Sequence, residues 1–306
     1  MPDMRKPPQA VVGILCSDIH LRLKPPPARS REPNWLAAMA RYLTELKSLA
    51  EQYNAPVFCA GDIFDYWNSA PELINFAIKF CPAMFAIPGQ HDLPHHNYAD
   101  IRKTAYWTLA VAGTLTPLPP NKPALVGNVR AWGFPWGYEI TPLAVPKIAG
   151  VIDLAVIHSY IWYGKHKHPG AEENKAASVY HAHLAGYDAS VWGDNHAGFQ
   201  LGNLINTGSF MRMHTDQIDY KPMVGLLYGT GRISPHYLDI SRDVIDGKQD
   251  VEVKEQADAV EIQMFLKSLL KVSEGTIDFK KAVREYVNKS DTSKAVRDLL
   301  LEVIEQ

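Results

Sequence analysis

VVGILCSDIH, residues 11–20, is an uncharged run that ends abruptly in an aspartate and a histidine. Its apolar part is six residues long and rich in Val, Ile and Leu, which fits a strand buried on both faces. The same unit recurs along the chain. PVFCA (56–60) runs into Gly61-Asp62-Ile63-Phe64-Asp65, and PAMFAI (82–87) leads to Gly89-Gln90-His91-Asp92. DLAVI (153–157) runs into His158, and ASVW (189–192) into Gly193-Asp194-Asn195-His196. Between the first two runs, Leu36, Met39, Leu43 and Leu46 recur at steps of three and four, which predicts a helix with one apolar face. Ser69 is placed to cap a second helix carrying Leu73, Ile74, Ala77 and Ile78. Strand, helix, strand, helix, strand predicts an α/β fold in which helices cover a parallel sheet.

Outward from these runs the pattern changes. Residues 121–140, rich in Pro, Gly and Trp, read as turns and edge strands. From 199 to 240 the pattern is strand–turn–strand, with a Gly229-Thr230-Gly231 turn, and predicts antiparallel strands closing a second sheet. KPPPARSREP (24–33) reads as a mobile loop. The last fifty residues carry three helical stripes. They begin at Ile262, Phe279 and Val296, and Asp278 and Asp291 are placed to cap the second and third. The expected organisation is one catalytic domain over residues 9–245 and a helical C-terminal appendage over 256–306.

Composition narrows the function classes. The chain has 306 residues, 46% hydrophobic and 21% charged, which excludes a disordered chain, a collagen-like repeat and a coiled-coil rod. Its three cysteines include no close pair and make a poor disulfide framework. Buried thiols in a reducing compartment are expected, and so a cytoplasmic location. No apolar run approaches the ~20 residues of a membrane span. The net charge of −2 gives no global pull toward nucleic acid.

The placement of Asp, His and amide groups is the informative feature. In open α/β sheets, ligands bind outside the carboxyl ends of the strands. Five runs in order deliver such groups to that edge. Carboxylate, imidazole and amide oxygen together suit Mn, Fe or Zn, and the absence of cysteine disfavours a structural zinc. A carboxylate such as Asp62 can bridge two ions.

The ordered set Asp18-Ile19-His20, Gly61-Asp62-Ile63-Phe64-Asp65, Gly89-Gln90-His91-Asp92, His158 and Gly193-Asp194-Asn195-His196 resembles the calcineurin-like metallophosphoesterases over roughly residues 9–245. Within that superfamily the sequence is most similar to the SbcD-type DNA repair nucleases. Asn206-Thr207-Gly208-Ser209-Phe210 and the following Arg212 also resemble a segment of those nucleases. The resemblance implies a two-sheet α/β sandwich flanked by helices. It implies a first metal held by Asp18, His20, Asp62 and His196, and a second by Asp62, Gln90, His158 and Asp194. His91 would donate a proton to the leaving oxygen or stabilise charge there, and Asp65 would orient His91. The nucleophile would be a metal-bridging hydroxide, and the ions Mn2+, with Mg2+, Fe2+ or Zn2+ as alternatives. Two positions depart from the family. Gln90 stands where Asn is usual, and Asp194 where the first His of GHxH is usual. The added negative charge and harder oxygen of Asp194 should tilt the second site toward Mn or Mg over Zn.

Each residue also has an ordinary reading. Asp18, Asp62 and Asp194 could cap the next helix, but capping does not account for the histidines. Gln90 could be a turn residue that touches no metal, and Asp65 a simple cap. His95-His96, His166 with His168, and His181 with His183 read as solvated loop residues. Trp162 to His168, which includes Lys165, could stack bases and grip a phosphate, or be a surface loop. Arg102, Lys103, Tyr106 and Trp107 read as a helix with a solvated face. Arg212 could bind substrate phosphate or sit in a surface ion pair. The expected function is a dinuclear DNA nuclease. The alternatives are a small-molecule nucleotide or pyrophosphate phosphoesterase and a non-catalytic scaffold. DNA is the expected substrate, with a protein partner at the C-terminal helices or a homodimer as further expectations, and no membrane.

Overall fold

A computed structural model of the chain describes residues 10–120, 122–167 and 171–245. The helical appendage expected over 256–306 and His168 lie outside the described residues. Twelve strands form two six-stranded sheets. The first contains β1 (Val11–Cys16), β2 (Val57–Cys59), β3 (Met84–Ala86), β4 (Leu115–Pro117), β11 (Met223–Tyr228) and β12 (Ile233–Tyr237), in the order β12-β11-β1-β2-β3-β4. The second contains β5 (Pro123–Val126), β6 (Val129–Phe134), β7 (Ile152–His158), β8 (Ala189–Gly193), β9 (Phe199–Leu201) and β10 (Leu204–Asn206), in the order β5-β6-β7-β8-β10-β9. β1 to β4 run parallel, as do β6, β7, β8 and β10.

The period of two along each strand sorts side chains between cores. Leu15, Phe58 and Ala60 pack with Val129, Ala131, Leu154 and Val156 between the sheets. Their neighbours Ile14, Cys16, Val57 and Cys59 point outward, under α1 (Trp35–Tyr53), α2 (Pro71–Phe80) and α3 (Ala105–Val111). Ala155, Ile157 and Trp192 face outward from the second sheet and meet Ala177 at the start of α4 (Ala177–His183). The result is a helix–sheet–sheet–helix sandwich. Among the described residues no helix is long and apolar enough to cross a membrane.

The apolar runs form strands and the Leu36–Leu46 stripe lies on α1, whose N-cap Asn34 accepts from Ala37 N at 2.9 Å. Four expectations need correction. Ser69 does not cap α2. Pro71 at the first helical position makes Ala70 the extended N-cap, and Ser69 Oγ donates to Tyr66 O instead. Residues 121–140 are not all edge, since β6 is buried between β5 and β7. The Gly229-Thr230-Gly231 hairpin closes the first sheet, not the second, because β11 is buried along most of its length and pairs with β1. β12 alternates buried and exposed and carries Pro235, as suits an edge. Residues 24–33 are not a free loop. Arg29 is fully buried, donating to Glu32 (2.5 Å), Asp243 (2.9 Å) and Arg212 O (2.9 Å).

Candidate metal centre

The carboxyl ends of β1, β2, β3, β7 and β8 all deliver their motif to one place. Asp18, His20, Asp62 and Asp194 have φ of 51°, 48°, 53° and 87°. The left-handed conformation disfavours residues with a Cβ and collects at functional sites. Here it turns each chain sharply at the strand end, so that the side chain enters the crevice instead of following the sheet. Glycines make room for these bends. A Cβ on Gly89 would lie 2.1 Å from Asp62 Oδ1, and one on Gly193 would lie 2.6 Å from Ala60 O.

The structure brings all seven predicted ligands together. Asp18, His20 and His196 offer ligand atoms within 4.8 Å of one another, as do Asp18, Asp62 and His158. His20 Nε2 lies 3.1 Å from His196 Nε2, 3.7 Å from Asp18 Oδ1 and 3.6 Å from Asp62 Oδ2. His158 Nε2 lies 3.3 Å from Asp62 Oδ2 and 2.7 Å from Gln90 Oε1. Gln90 Nε2 donates to Asp194 Oδ1 at 2.8 Å, so the longer amide reaches both second-site partners. Asp194 N donates to both Asp18 oxygens, at 3.1 and 3.2 Å.

Electrostatics shows a charge problem within the cluster. Burial works to raise the pKa of Asp18, but its bond to His20 and the charges of His158 and His196 outweigh burial and lower it. Asp62 is held low against burial by His158 and His20. Burial works to lower the pKa of His158, but the charge of Asp62 and the contact with it raise it to about 10. Both ring nitrogens of His158 face oxygen acceptors, Gln90 Oε1 and, at 2.5 Å, Ala60 O, which agrees with that upward shift in the metal-free protein. Burial also lowers His20, yet Asp18 and Asp62 raise it to about 8. Burial raises Asp194 and lowers His196. Asp62 Oδ2 and His20 Nδ1 are buried with no hydrogen-bond partner. The orphaned Asp62 Oδ2, beside the buried Asp18 and the half-buried Asp194, is what a bound divalent cation would satisfy, and the mixed oxygen and nitrogen donors fit such an ion.

His91 sits at the mouth. Its backbone N donates to Asp62 Oδ1 at 3.0 Å, and its ring packs edge-on to His20 at 4.9 Å. Nδ1 lies 2.9 Å from Asp65 O, a carbonyl that can only accept, so Nδ1 carries a proton and Nε2 faces away from that bond. Asp65 therefore orients His91, but through its backbone and not its carboxylate. The carboxylate is turned to His20 Nδ1 (3.7 Å) and Arg22 Nη1 (3.5 Å).

The tentative substrate contacts divide. Lys165 lines an open groove of about 1090 Å3 that passes Asp194 and His196. Arg212 does not reach the groove. Its buried guanidinium bonds Asp243 at 3.0 Å, Ile218 O and Ile240 O, which leaves no fork for a phosphate. His166 stacks on Phe199, and His95, His96, His181 and His183 lie at the surface. Tyr106 is buried and donates to Ala86 O, while Arg102 lies over Trp107.

Two structural supports were not read from sequence. Asp92 is buried, and its oxygens accept from Ile63 N (3.2 Å), Phe64 N (3.0 Å) and Gly89 N (3.1 Å). It thereby ties the Asp62 loop to the Gln90–His91 loop. Its place in Gly89-Gln90-His91-Asp92 was the available signal. Asn195 fixes the last motif by donating to Ile161 O (2.7 Å) and accepting from Ala197 N (3.0 Å).

A family model described as calcineurin-like phosphoesterase matches residues 14–198. No curated protein matches the chain. Among solved structures, it is similar to the calcineurin-like phosphoesterase YfkN from Bacillus subtilis, with 13% identity, 76% of this chain and 92% of that one covered, and a TM-score of 0.42. It is also similar to a Staphylococcus aureus protein described as a 5'-nucleotidase, with 15% identity, 80% and 58% covered, and a TM-score of 0.43. A metallophosphoesterase from Sphaerobacter thermophilus matches with 12% identity, 74% and 87% covered, and a TM-score of 0.33.

Proposed function

Because the chain belongs to the calcineurin-like phosphoesterase family of metal-dependent phosphoester hydrolases, we propose that it is a dinuclear phosphodiesterase that cuts DNA. The observation that carries the reading is the seating of His91, fixed by two bonds and with a ring nitrogen within 4.8 Å of ligand atoms of both His20 and Asp62. Two divalent ions, Mn2+ on this reading, would be held by Asp18, His20, Asp62 and His196 and by Asp62, Gln90, His158 and Asp194, and would supply activated water and neutralise phosphoryl charge.

The chain's own residues do the rest. With Nδ1–H committed to Asp65 O, the proton that His91 can exchange is the one on Nε2. A protonated His91 donates it to the leaving oxygen as the P–O bond breaks. Asp62 sets the position of His91 through its backbone N, so the acid is registered to the same carboxylate that would bridge the ions. The groove beside His196 supports a polymeric substrate. It is open, whereas sites for small ligands bury most of the ligand surface. Its lining includes Lys165, Lys167 and Lys221, Asp194, Asp216 and Asp219, and Tyr160, Tyr220 and Tyr237. Stacking and shape, more than net positive potential, would then hold the strand.

The test is a paired assay in Mn2+ of wild type and His91→Ala on linear duplex DNA, single-stranded DNA and bis-p-nitrophenyl phosphate, with EDTA controls. DNA degradation abolished by EDTA and reduced by about 10²–10⁴ in His91→Ala is the expected result. Hydrolysis of the small diester with DNA untouched would replace the nuclease reading with a nucleotide or other small phosphoester. Bound metal with silence on every substrate would refute the catalytic reading of this chain acting alone.

A further inference from the structure

On the His91 side of the centre, the loops after β1 and β2 continue together. Leu21 N donates to Ile63 O (2.9 Å), Asp65 N donates to Leu21 O (3.1 Å), and Leu21 and Phe64 form an isolated parallel bridge. This pairing carries Arg22 alongside Asp65. Arg22 Nη1 stands 3.5 Å from Asp65 Oδ2, a long contact, and Arg22 Nε is buried without a partner. A guanidinium offers five donors in a fixed fork. Among the described residues, most of this one's capacity is unspent, although burying a donor without a partner is unfavourable.

Beside Arg22 lies a cleft of about 280 Å3, walled by Arg22, Lys24, Asp65, Tyr66 and the Ser69-Ala70 entry to α2. Lys24 and Tyr66 are exposed. α2 is ten residues long and begins with no side-chain cap, and its first turn carries Pro71, which has no N–H, and Glu72, whose carboxylate offsets the partial positive charge there. Of the charged side chains lining the cleft, two are cations, Arg22 and Lys24, and one is a carboxylate, Asp65. Asp65 is also the residue whose carbonyl holds His91 Nδ1, so the cleft adjoins the group placed to protonate the leaving oxygen.

We propose that this cleft is an anion subsite that takes a second phosphate of the substrate, the neighbour of the scissile phosphate on the leaving-group side. The inference rests on the reading of the chain as a phosphodiesterase acting on nucleic acid. Arg22 would bind the phosphate through the fork, and Lys24 would add a point charge. A neighbouring internal phosphodiester and a terminal phosphomonoester share this chemistry, and the experiment separates them.

The full chain is loaded with Mg2+, and the Arg22 Nε–H resonance is followed by NMR while inorganic phosphate is added. A saturable shift is expected, and it should need more phosphate in Lys24→Met, where Arg22 is still present to report. Cleavage is then measured in Mn2+ on a single-stranded oligonucleotide. A second substrate carries one uncharged methylphosphonate beside the cleaved bond, and a third ends there in a phosphomonoester. In wild type, the methylphosphonate should lower kcat/KM about tenfold, the scale of one charge-assisted bond. Arg22→Gln should show that loss on the parent and little further loss on the methylphosphonate. Retention of the effect only on the third substrate would assign the subsite to a terminal phosphate. Independent, additive losses, or an Arg22 resonance indifferent to phosphate, would overturn the proposal. Lys24→Met alters an exposed residue and supports the same additivity test should Arg22→Gln fail to fold. The phosphate titration reads the subsite without hydrolysis, so its failure is distinct from failure of the nuclease reading.

Discussion

Gly89→Ala adds one methyl group and no charge, and its cost can be worked from the structure. The new Cβ would lie 2.1 Å from Asp62 Oδ1 and 2.7 Å from Asp62 N, against an optimal separation of about 3.5–4 Å between non-bonded carbons. Gly89 is not in a left-handed conformation, so alanine is allowed there and would alone stabilise by about 0.4–1 kcal/mol. Asp62 is fully buried and cannot retreat as a whole. Its carboxylate must turn, which takes Oδ1 from His91 N, now at 3.0 Å. Overpacking costs about 1–3 kcal/mol and the freed N–H about 1 kcal/mol or more, so the net loss should be about 2–4 kcal/mol. The displaced carboxylate should also weaken metal binding by about 10–100-fold, the range seen when a ligand's support is lost. Urea unfolding in EDTA reads the first quantity and calorimetric Mn2+ titration the second. Gly229→Ala is the control, since its Cβ meets nothing nearer than 3.7 Å and should be neutral or slightly stabilising. A Gly89→Ala protein within about 0.5 kcal/mol of wild type and unaltered in Mn2+ affinity would refute the idea that Gly89 sets the Asp62 carboxylate.

Other outcomes follow from the same geometry. Metal loading should expel the protons held by His20 and His158, so calorimetry in buffers of different ionisation enthalpy should show proton release at pH 7, with affinity rising as pH climbs toward 8 and then 10. The pKa of His158 is higher folded than unfolded, so its contribution to the metal-free protein is complete below about 6.5 and is lost as pH rises through about 10. Urea midpoints in EDTA should therefore fall between pH 7 and 10, and should fall less with Mn2+ bound. Asp194→His replaces a hard oxygen with an imidazole and removes the acceptor for Gln90 Nε2, so the ratio of Zn2+ to Mn2+ affinity in competition titrations should rise. The Asp243 carboxylate is buried against Arg29, Arg212 and Tyr42, so Asp243→Ala should cost about 3–5 kcal/mol in urea unfolding by leaving the buried Arg212 guanidinium without its carboxylate, while Arg29 keeps Glu32.

What sequence disclosed and what it hid have physical causes. An apolar run that stops at Asp or His reports a strand and its ligand together, because both faces are buried and the chain must leave the sheet at the crevice. That is why Asp18, Asp62, His158 and Asp194 were legible. The sheet to which the hairpin around Gly229 belongs was not, because pairing between β1 and β11 joins residues over 200 positions apart and local pattern carries no record of it. Asp65 and Arg212 misled for another reason. A side chain's type restricts which groups it can bind, but which group reaches the target depends on tertiary position. At Asp65 the carbonyl reached His91, and at Arg212 a buried carboxylate claimed the guanidinium. The buried Arg29 was hidden by its context, a Pro- and Arg-rich segment whose composition resembles solvated loop.

The charge balance of the centre bears on the diester substrate proposed for it, through the aspartate at 194. Asp18, Asp62 and Asp194 bring three negative charges into a buried space, and in the metal-free protein the protons on His20 and His158 offset two of them. Two divalent ions that displace those protons would leave the centre at a net +1. A histidine at 194 would leave it at +2. A phosphodiester carries one negative charge per phosphate, whereas a phosphomonoester carries about 1.5–2 at pH 7. With or without a bound hydroxide, the aspartate makes the centre less positive by one charge than a histidine would, which would lower its attraction for a monoester product more than for a diester. That asymmetry favours release after cleavage. On the proposed reading, recognition of further negative charge would fall outside the metal cluster, where Arg22 Nε stands without a partner.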